Sequence, residues 1–314
     1  MNNLKRKFLN LGTTYDPNQL LHAFSAFPIV TSINYHFDPQ PNHNHDLQSQ
    51  RDSTPSPLNQ LHERNKSSSL RKHNPPTPTH DISPSQNCNA SRQISSQHDL
   101  TFGHANVRSI RAEIHGIIRL DAVIGLMILD NIAVFSFSEH SISTSDDKPE
   151  HALFCWEGSY REGNSGGTGL LIDRKLNHTA VTHTFNSSTE FTAIEFSYKK
   201  QNHLVLSVYL PQHNNSMEMD ANNELFKQID ARRDRWDFIT ILGDFNAWHE
   251  AWGTKTNARG KRLFQTITST NLSVCRLPGP TRIAPSNYHS DTFIDLIITN
   301  KIDTVQNIKL GQKI

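Results

Sequence analysis

Cysteine is scarce in this 314-residue chain: Cys88, Cys155 and Cys275 are its three, far apart and without any C-x-x-C spacing. An odd, scattered set gives neither a disulfide framework nor a zinc site, so reduced intracellular thiols and no disulfide-linked partner are expected. A surplus of charge is absent as well. The net charge of +1 neither demands nor excludes a nucleic-acid partner, because a local basic groove can exist on a neutral protein. No phosphate-cradling P-loop and no nucleophilic Ser or Cys motif occurs. Long apolar runs are missing except across residues 120–137, where Asp121 and the mid-run pair Asp130-Asn131 make a lipid environment costly. That stretch reads as the end of a helix, a turn and a buried strand, and no membrane partner is expected. The basic start Lys5-Arg6-Lys7 leads into residues too polar for a signal segment.

What the chain does contain changes character near residue 100. Residues 1–99 are rich in Asn, Gln, Ser, Pro and His and punctuated by Pro55-Ser56-Pro57, Pro75-Pro76-Thr77-Pro78 and Ser83-Pro84-Ser85. Such a composition buries too little apolar area to offset chain entropy, which predicts a disordered low-complexity tail. Within it, residues 20–33 carry a weak helix or strand signal, and His43-Asn44-His45 has the residue types of a metal site but is read, in a His-rich polar tract, as an adventitious cluster.

From residue 100 to 314 the apolar pattern becomes periodic. Strands are predicted over residues 101–107, 132–138, 168–173, 179–184, 191–198, 204–210, 238–242, 272–275 and 293–299. Helical spacing runs through Ile110, Ile114, Ile117, Ile118, Ile124, Met127 and Ile128, and again over residues 223–236 and 258–270. This order implies an α+β domain of two sheets packed face to face with helices outside.

Polar residues stand where the strands stop: Asn106, Glu139, Asp244 and Asn246, with Tyr209 closing its strand before Pro211. Asp244 and Asn246 are two apart, which in extended backbone aims both at one side of the sheet. A carboxylate there can orient or deprotonate a water, and a carboxamide can hold a phosphoryl oxygen without adding repulsive charge. Acid and carboxamides at one mouth favour magnesium-assisted attack of water on a phosphate, with manganese as the alternative metal.

These residues lie in an ordered series of motifs: Gly103-His104-Ala105-Asn106-Val107-Arg108-Ser109, Ser138-Glu139, Gly166-Gly167-Thr168-Gly169, Val208-Tyr209-Leu210-Pro211 and Gly243-Asp244-Phe245-Asn246-Ala247. Ala251-Trp252-Gly253, Asn257-Ala258-Arg259-Gly260, Gly279-Pro280-Thr281-Arg282 and Ile294-Asp295-Leu296 follow. From about residue 101 onward the chain resembles the endonuclease/exonuclease/phosphatase superfamily, and more narrowly the apurinic-type endonuclease domain of non-LTR retrotransposons. The resemblance implies a four-layer αββα sandwich of two mixed β-sheets flanked by helices. It implies that Glu139 ligates Mg²⁺ with support from Asn106, and that Asp244 activates the attacking water. Asn246 and Tyr209 would hold the scissile phosphate, and Asp295 would orient a histidine near it.

Two departures stand out. The family closes with a strand bearing Ser-Asp-His, and none of the residues after Asp295 supplies it; His289-Ser290-Asp291 precedes that strand. The domain is therefore expected to lack its final strand, to leave a sheet edge unpaired and to lose rate. Arg108 stands where the broader family often has a metal-binding Asp. The implied function is a Mg²⁺-dependent DNA endonuclease of retrotransposon type, impaired by truncation, acting inside the cell and in the nucleus if on chromosomal DNA. The alternatives are an inactive remnant that keeps the fold, or a phosphoesterase acting on a small phosphoester. Arg259, Lys261, Arg262 and Arg282 are expected DNA-backbone contacts.

Overall fold

The computed structural model describes residues 31–35, 99–114, 117–160, 166–212, 216–282 and 291–310, which belong to one compact unit built from residues 1–37 and 99–314. In chain order the strands are β1 (Thr31–Tyr35), β2 (Leu100–Asn106), β3 (Glu113–Ile114), β4 (Ile117–Ile118), β5 (Val134–Ser138), β6 (Phe154–Ser159) and β7 (Thr168–Asp173). They continue with β8 (His178–Ala180), β9 (Glu190–Tyr198), β10 (Gln201–Tyr209), β11 (Phe238–Asp244), β12 (Ser273–Val274), β13 (Asp295–Thr299) and β14 (Val305–Leu310). The helices are α1 (Arg119–Leu129), α2 (Ser216–Asp230) and α3 (Ala258–Ser269).

Two six-stranded mixed sheets form, ordered β14-β1-β2-β5-β7-β6 and β12-β13-β11-β10-β9-β8. Three apolar clusters correspond to three layer contacts. Ala105, Phe135 and Phe137 pack against Val123 and Met127 of α1. Leu206, Ile241 and Ile298 pack against Leu225 and Phe226 of α2 and Leu263 and Ile267 of α3. Phe102, Val134, Ile172, Val205, Leu242 and Ile297 fill the space between the sheets. The result is the α+β, four-layer arrangement expected from the sequence.

Strand alternation makes the space between the sheets polar at one end. On β2, Phe102, His104 and Asn106 share a face, as do Val134, Ser136 and Ser138 on β5, and Leu242 and Asp244 on β11. The apolar members anchor the sheets together, and the polar ones gather where β2, β5 and β11 end. Gly243 lets β11 close against its parallel neighbour β10, since a Cβ there would lie 2.1 Å from the Val208 carbonyl oxygen.

The boundaries differ from expectation in several places, among them the predicted strand 179–184, which is β8 followed by a 3₁₀ turn at Thr182–Thr184. Helical spacing over residues 110–128 overreaches: α1 begins at Arg119, because Ile110 and Ile117 are buried from a loop and a two-strand hairpin at the same apparent period. Trp236 is buried but follows a short 3₁₀ turn rather than lying on α2. Strands β6 and β14 were not expected; in β6 only Phe154 and Trp156 are buried, with Cys155 and Glu157 half-buried between and after them, too short an alternation to stand out.

A further difference concerns the stretch read as a tail. β1 lies inside it, yet it pairs antiparallel with β2 on one side (Ile33 opposite Phe102) and with β14 on the other (Ile33 opposite Ile308). The first sheet thus continues past β2 through β1 to β14, a strand that does follow β13 but carries no Ser-Asp-His. The remainder of the tail, including His43, His45 and Cys88, lies outside the described residues. Cys155 and Cys275 are free thiols, and burial pushes the Cys275 thiol up to about 12. Among the described residues no helix is long and apolar enough to cross a membrane; residues 120–137 are shared by α1, a turn and β5.

Candidate active site

The polar strand ends converge on Asp244. Asn106 at the end of β2 donates from Nδ2 to Asp244 Oδ2 at 2.8 Å and to Glu139 Oε1 at 2.7 Å, so one carboxamide bridges two carboxylates carried by different sheets. The backbone N–H of Asn246 donates to Asp244 Oδ1 at 3.0 Å. Asn246 Nδ2 donates to the Leu210 carbonyl at 2.9 Å, which ties the residue to the end of β10. Tyr209 hydrogen-bonds Glu139.

Backbone conformation at the mouth is unusual for the residue types. Glu139 (φ 57°) and Asn246 (φ 45°) both adopt the left-handed region, as do Arg108, Ser109 and Ser141 in the neighbouring turns. Such positions cost on the order of 1 kcal/mol each and persist only where surrounding bonds enforce them. Enforcement at Glu139 comes from the next residue. His140 Nε2 donates to the Ser159 and Thr168 carbonyls at 3.2 and 3.1 Å, while its Nδ1 accepts from Ile142 N–H at 3.0 Å. Gly167 (φ 86°) passes so close that a Cβ would lie 2.5 Å from that ring.

The electrostatics are those of crowded acids. Asp244 is 2% exposed, and burial first, then the neighbouring Asp295, push its carboxyl well above the ordinary carboxylate range. The hydrogen bonds from Asn106 and Asn246 act in the opposite direction. The Tyr209 hydroxyl is raised by burial and by Glu139, with Asp244 and Glu190 adding to it. Glu190 Oε2 accepts from Gly167 N–H at 2.9 Å.

These observations bear on a metal. Among the described residues no group of three or more His, Cys, Asp or Glu is arranged to hold one. Magnesium does not need such a group, because it keeps several waters and binds one or two carboxylates. Glu139 and Asp244, bridged by the Asn106 carboxamide, offer hard oxygen donors and a local excess of negative charge. The donor set therefore fits a small divalent cation.

Asn106, Glu139, Tyr209, Asp244 and Asn246 are thus brought together. Asp295 sits beside Asp244 in register, on β13, but its histidine partner is His104 of β2, with Nε2 to Oδ1 3.2 Å. His104 is 1% exposed, so the expected histidine at the phosphate is replaced by a buried one. Its signal was present in the sequence: it stands two residues before Asn106 and shares its face.

The basic candidates divide. Arg259 is 4% exposed and donates from Nη1 to the Pro211 carbonyl at 2.6 Å and to the Leu210 carbonyl at 3.5 Å. It braces α3 against the strand end that also holds Asn246, in place of the expected surface contact with DNA. Lys261 and Arg262 are exposed on α3, and Arg282 is exposed where its backbone bridges Thr292. Sequence reasoning passed over Trp248, which is two residues beyond Asn246 and 39% exposed, and Phe264, which is 37% exposed and stacked on His249 at 4.3 Å.

Two mixed sheets with helices outside and an Asn/Glu/Asp/Asn cluster at their common end make up the arrangement that the motif series led us to expect. Residues 203–312 match the family described as Endonuclease-reverse transcriptase, which bears out the resemblance read from the motifs. Among solved structures, the endonuclease domain of TRAS1, a telomere-specific non-LTR retrotransposon, is similar at a TM-score of 0.51 and 13% identity. That match covers 68% of this chain and 98% of the other. An AP endonuclease from Archaeoglobus fulgidus is similar at a TM-score of 0.45 and 14% identity, over 63% and 86%. A 3′-5′ exonuclease from Neisseria meningitidis gives 0.43 and 15%, over 63% and 86%. No curated protein matches the sequence.

Proposed function

We propose that this chain is a Mg²⁺-dependent endonuclease of retrotransposon type that nicks DNA by hydrolysing a phosphodiester. The observation that carries the reading is the Asn106 carboxamide bridging Glu139 and Asp244 across the two sheets. Glu139, with Asn106 beside it, would hold the metal, with manganese able to substitute. The bound ion supplies a Lewis acid that neutralises charge building on the phosphate.

The protein's own groups do the rest. Asp244 has one oxygen fixed by Asn106 and the other by the Asn246 backbone, which leaves it oriented as an acceptor for the proton of an attacking water. Asn246 uses one amide hydrogen on Leu210, and the second is free to meet a phosphate oxygen. Tyr209 offers a neutral hydroxyl at the same mouth. Lys261, Arg262 and Arg282 are the candidates for backbone neutralisation. Trp248 is a further candidate, as an exposed ring on which a base can stack.

The test is nicking of supercoiled plasmid with Mg²⁺, comparing the chain with Asp244→Ala and Glu139→Ala. Nicking lost in both variants supports the reading, and equal rates in all three reject it. A specific observation favours a second reading, an inactive or impaired remnant that keeps the fold: His104 is enclosed and cannot reach a phosphate. Absence of nicking together with salt-sensitive DNA binding would select that reading. Turnover of a soluble phosphomonoester without DNA cleavage would select a small-molecule phosphoesterase. Action on chromosomal DNA would make the site of action nuclear.

A further inference from the structure

Strand β2 sends two side chains across to the facing sheet from the same side, His104 and Asn106. The residues they reach, Asp295 and Asp244, are themselves register partners on β13 and β11. Two parallel rungs result: Asn106 Nδ2 to Asp244 Oδ2 at 2.8 Å, and His104 Nε2 to Asp295 Oδ1 at 3.2 Å.

The far side of the His104 ring is fixed as well. The Ser207 hydroxyl donates to the Phe137 carbonyl at 2.9 Å, and the Ser136 hydroxyl donates to Ser207 Oγ at 2.8 Å. Ser136 Oγ, 2.9 Å from His104 Nδ1, therefore presents an acceptor to the ring. The chain of hydrogen bonds runs from β10 through β5 and β2 to β13, and every member of it is buried. Its last link restrains the carboxylate that stands beside Asp244.

We propose that His104 is a positioning residue for the reaction at Asp244: it clamps Asp295 in place from the opposite sheet, so that the two acids keep a fixed relation while Asp244 handles the water. The inference rests on the nuclease reading and deepens it. His104 acts through Asp295 and touches no substrate. A purely structural histidine would instead be exchangeable for an apolar residue of similar size without loss of turnover.

The experiment uses the full chain, supercoiled plasmid and Mg²⁺, with His104→Leu, His104→Gln and Asp295→Ala. In His104→Leu, kcat falls roughly ten- to hundredfold at unchanged KM, the loss typical of removing a support behind a reacting group. His104→Gln, which keeps an N–H donor, restores part of it. Nitrogen-15 spectra of the wild-type chain show a protected imidazole Nε2–H that disappears in Asp295→Ala, which has no acceptor. If His104→Leu does not fold, that signal decides: its presence and its loss in Asp295→Ala support the link, and its absence overturns it. A wild-type chain that nicks while folded His104→Leu nicks equally well overturns the inference alone. A wild-type chain that does not nick overturns the nuclease reading and the inference with it.

Discussion

The two sheets contribute to the site in different ways. The second sheet is made of strands that follow one another from His178 to Thr299, and it carries Tyr209, Asp244 and Asp295. The first carries His104, Asn106 and Glu139, but its strands come from both ends of the chain, with β1 lodged between β2 and β14. Chemistry that depends on bonds between the sheets thus rests on one sheet assembled locally and one assembled over long range. Long-range pairing must offset more loop entropy before its hydrogen bonds count, so the first sheet is the weaker member.

The largest effect should come from the second sheet. Asp244→Ala is expected to lower nicking roughly a thousandfold or more, measured as initial rate on supercoiled plasmid. Asp244→Asn should lose activity to a similar degree, and its amide can accept from only one of the two donors, Asn106 and Asn246, that the carboxylate satisfies. The raised Asp244 carboxyl means that its contribution to stability is fully present at low pH and is lost as pH rises through the folded value. The fall of melting temperature with rising pH should therefore be shallower in Asp244→Asn than in the unsubstituted chain, and equal slopes would contradict the crowded-acid picture.

Acid should also act on the second sheet. His203 on β10 is stacked between Phe196 and Phe238, at 5.0 and 4.8 Å, and burial lowers it from 6.5 to about 4. The unfolded chain binds the proton first, so stability falls as pH drops from about 6.5 to about 4, by about 3 kcal/mol in all. Denaturant titration of His203→Phe across that range should show a flatter profile. An unchanged profile would place the acid sensitivity elsewhere.

Gly243→Ala tests the close approach of β10 and β11. A Cβ 2.1 Å from a backbone oxygen requires the strands to part, at a cost of about 3 kcal/mol. The midpoint of denaturant unfolding reports it. Deleting residues 1–37 should cost less, on the order of 2 kcal/mol, because the bonds of β1 are partly offset by closure of its long connection. The informative measurement is amide exchange: β2 and β14 should lose protection while β10 and β11 keep theirs. Equal loss in both sheets would erase the distinction between them. The smallest effect is expected at Lys261→Glu with Arg262→Glu, which should reduce the salt dependence of DNA binding by about one contact each.

Much of this architecture was legible because strand ends carry their own punctuation. Gly166-Gly167 before β7 and the Gly243-Asp244-Phe245-Asn246 run across the end of β11 marked both strand limits and site residues. The pairing of Asn106 with Glu139 and Asp244 followed once each was set at a strand end. At β1 the local signal was weak: the helix-or-strand stretch over residues 20–33 reaches only Thr31, Ser32 and Ile33, and the polar tract around it hides the pairing with β2 and β14 that fixes the strand. Arg259 was misread because a basic helix start looks the same whether it faces solvent or carbonyl oxygens. His104 was hidden for the reason that makes it useful: it lies one step inside the mouth, among residues that ordinarily read as core.

The connection between β1 and β2 spans 64 residues, 36 to 99. A single cut anywhere along it would turn this domain into a two-piece protein, with β1 on the short piece and both of its pairing partners, β2 and β14, on the long one. Such a nicked molecule would release the piece on dilution and take it back on mixing, so that assembly of the first sheet would become a matter of concentration.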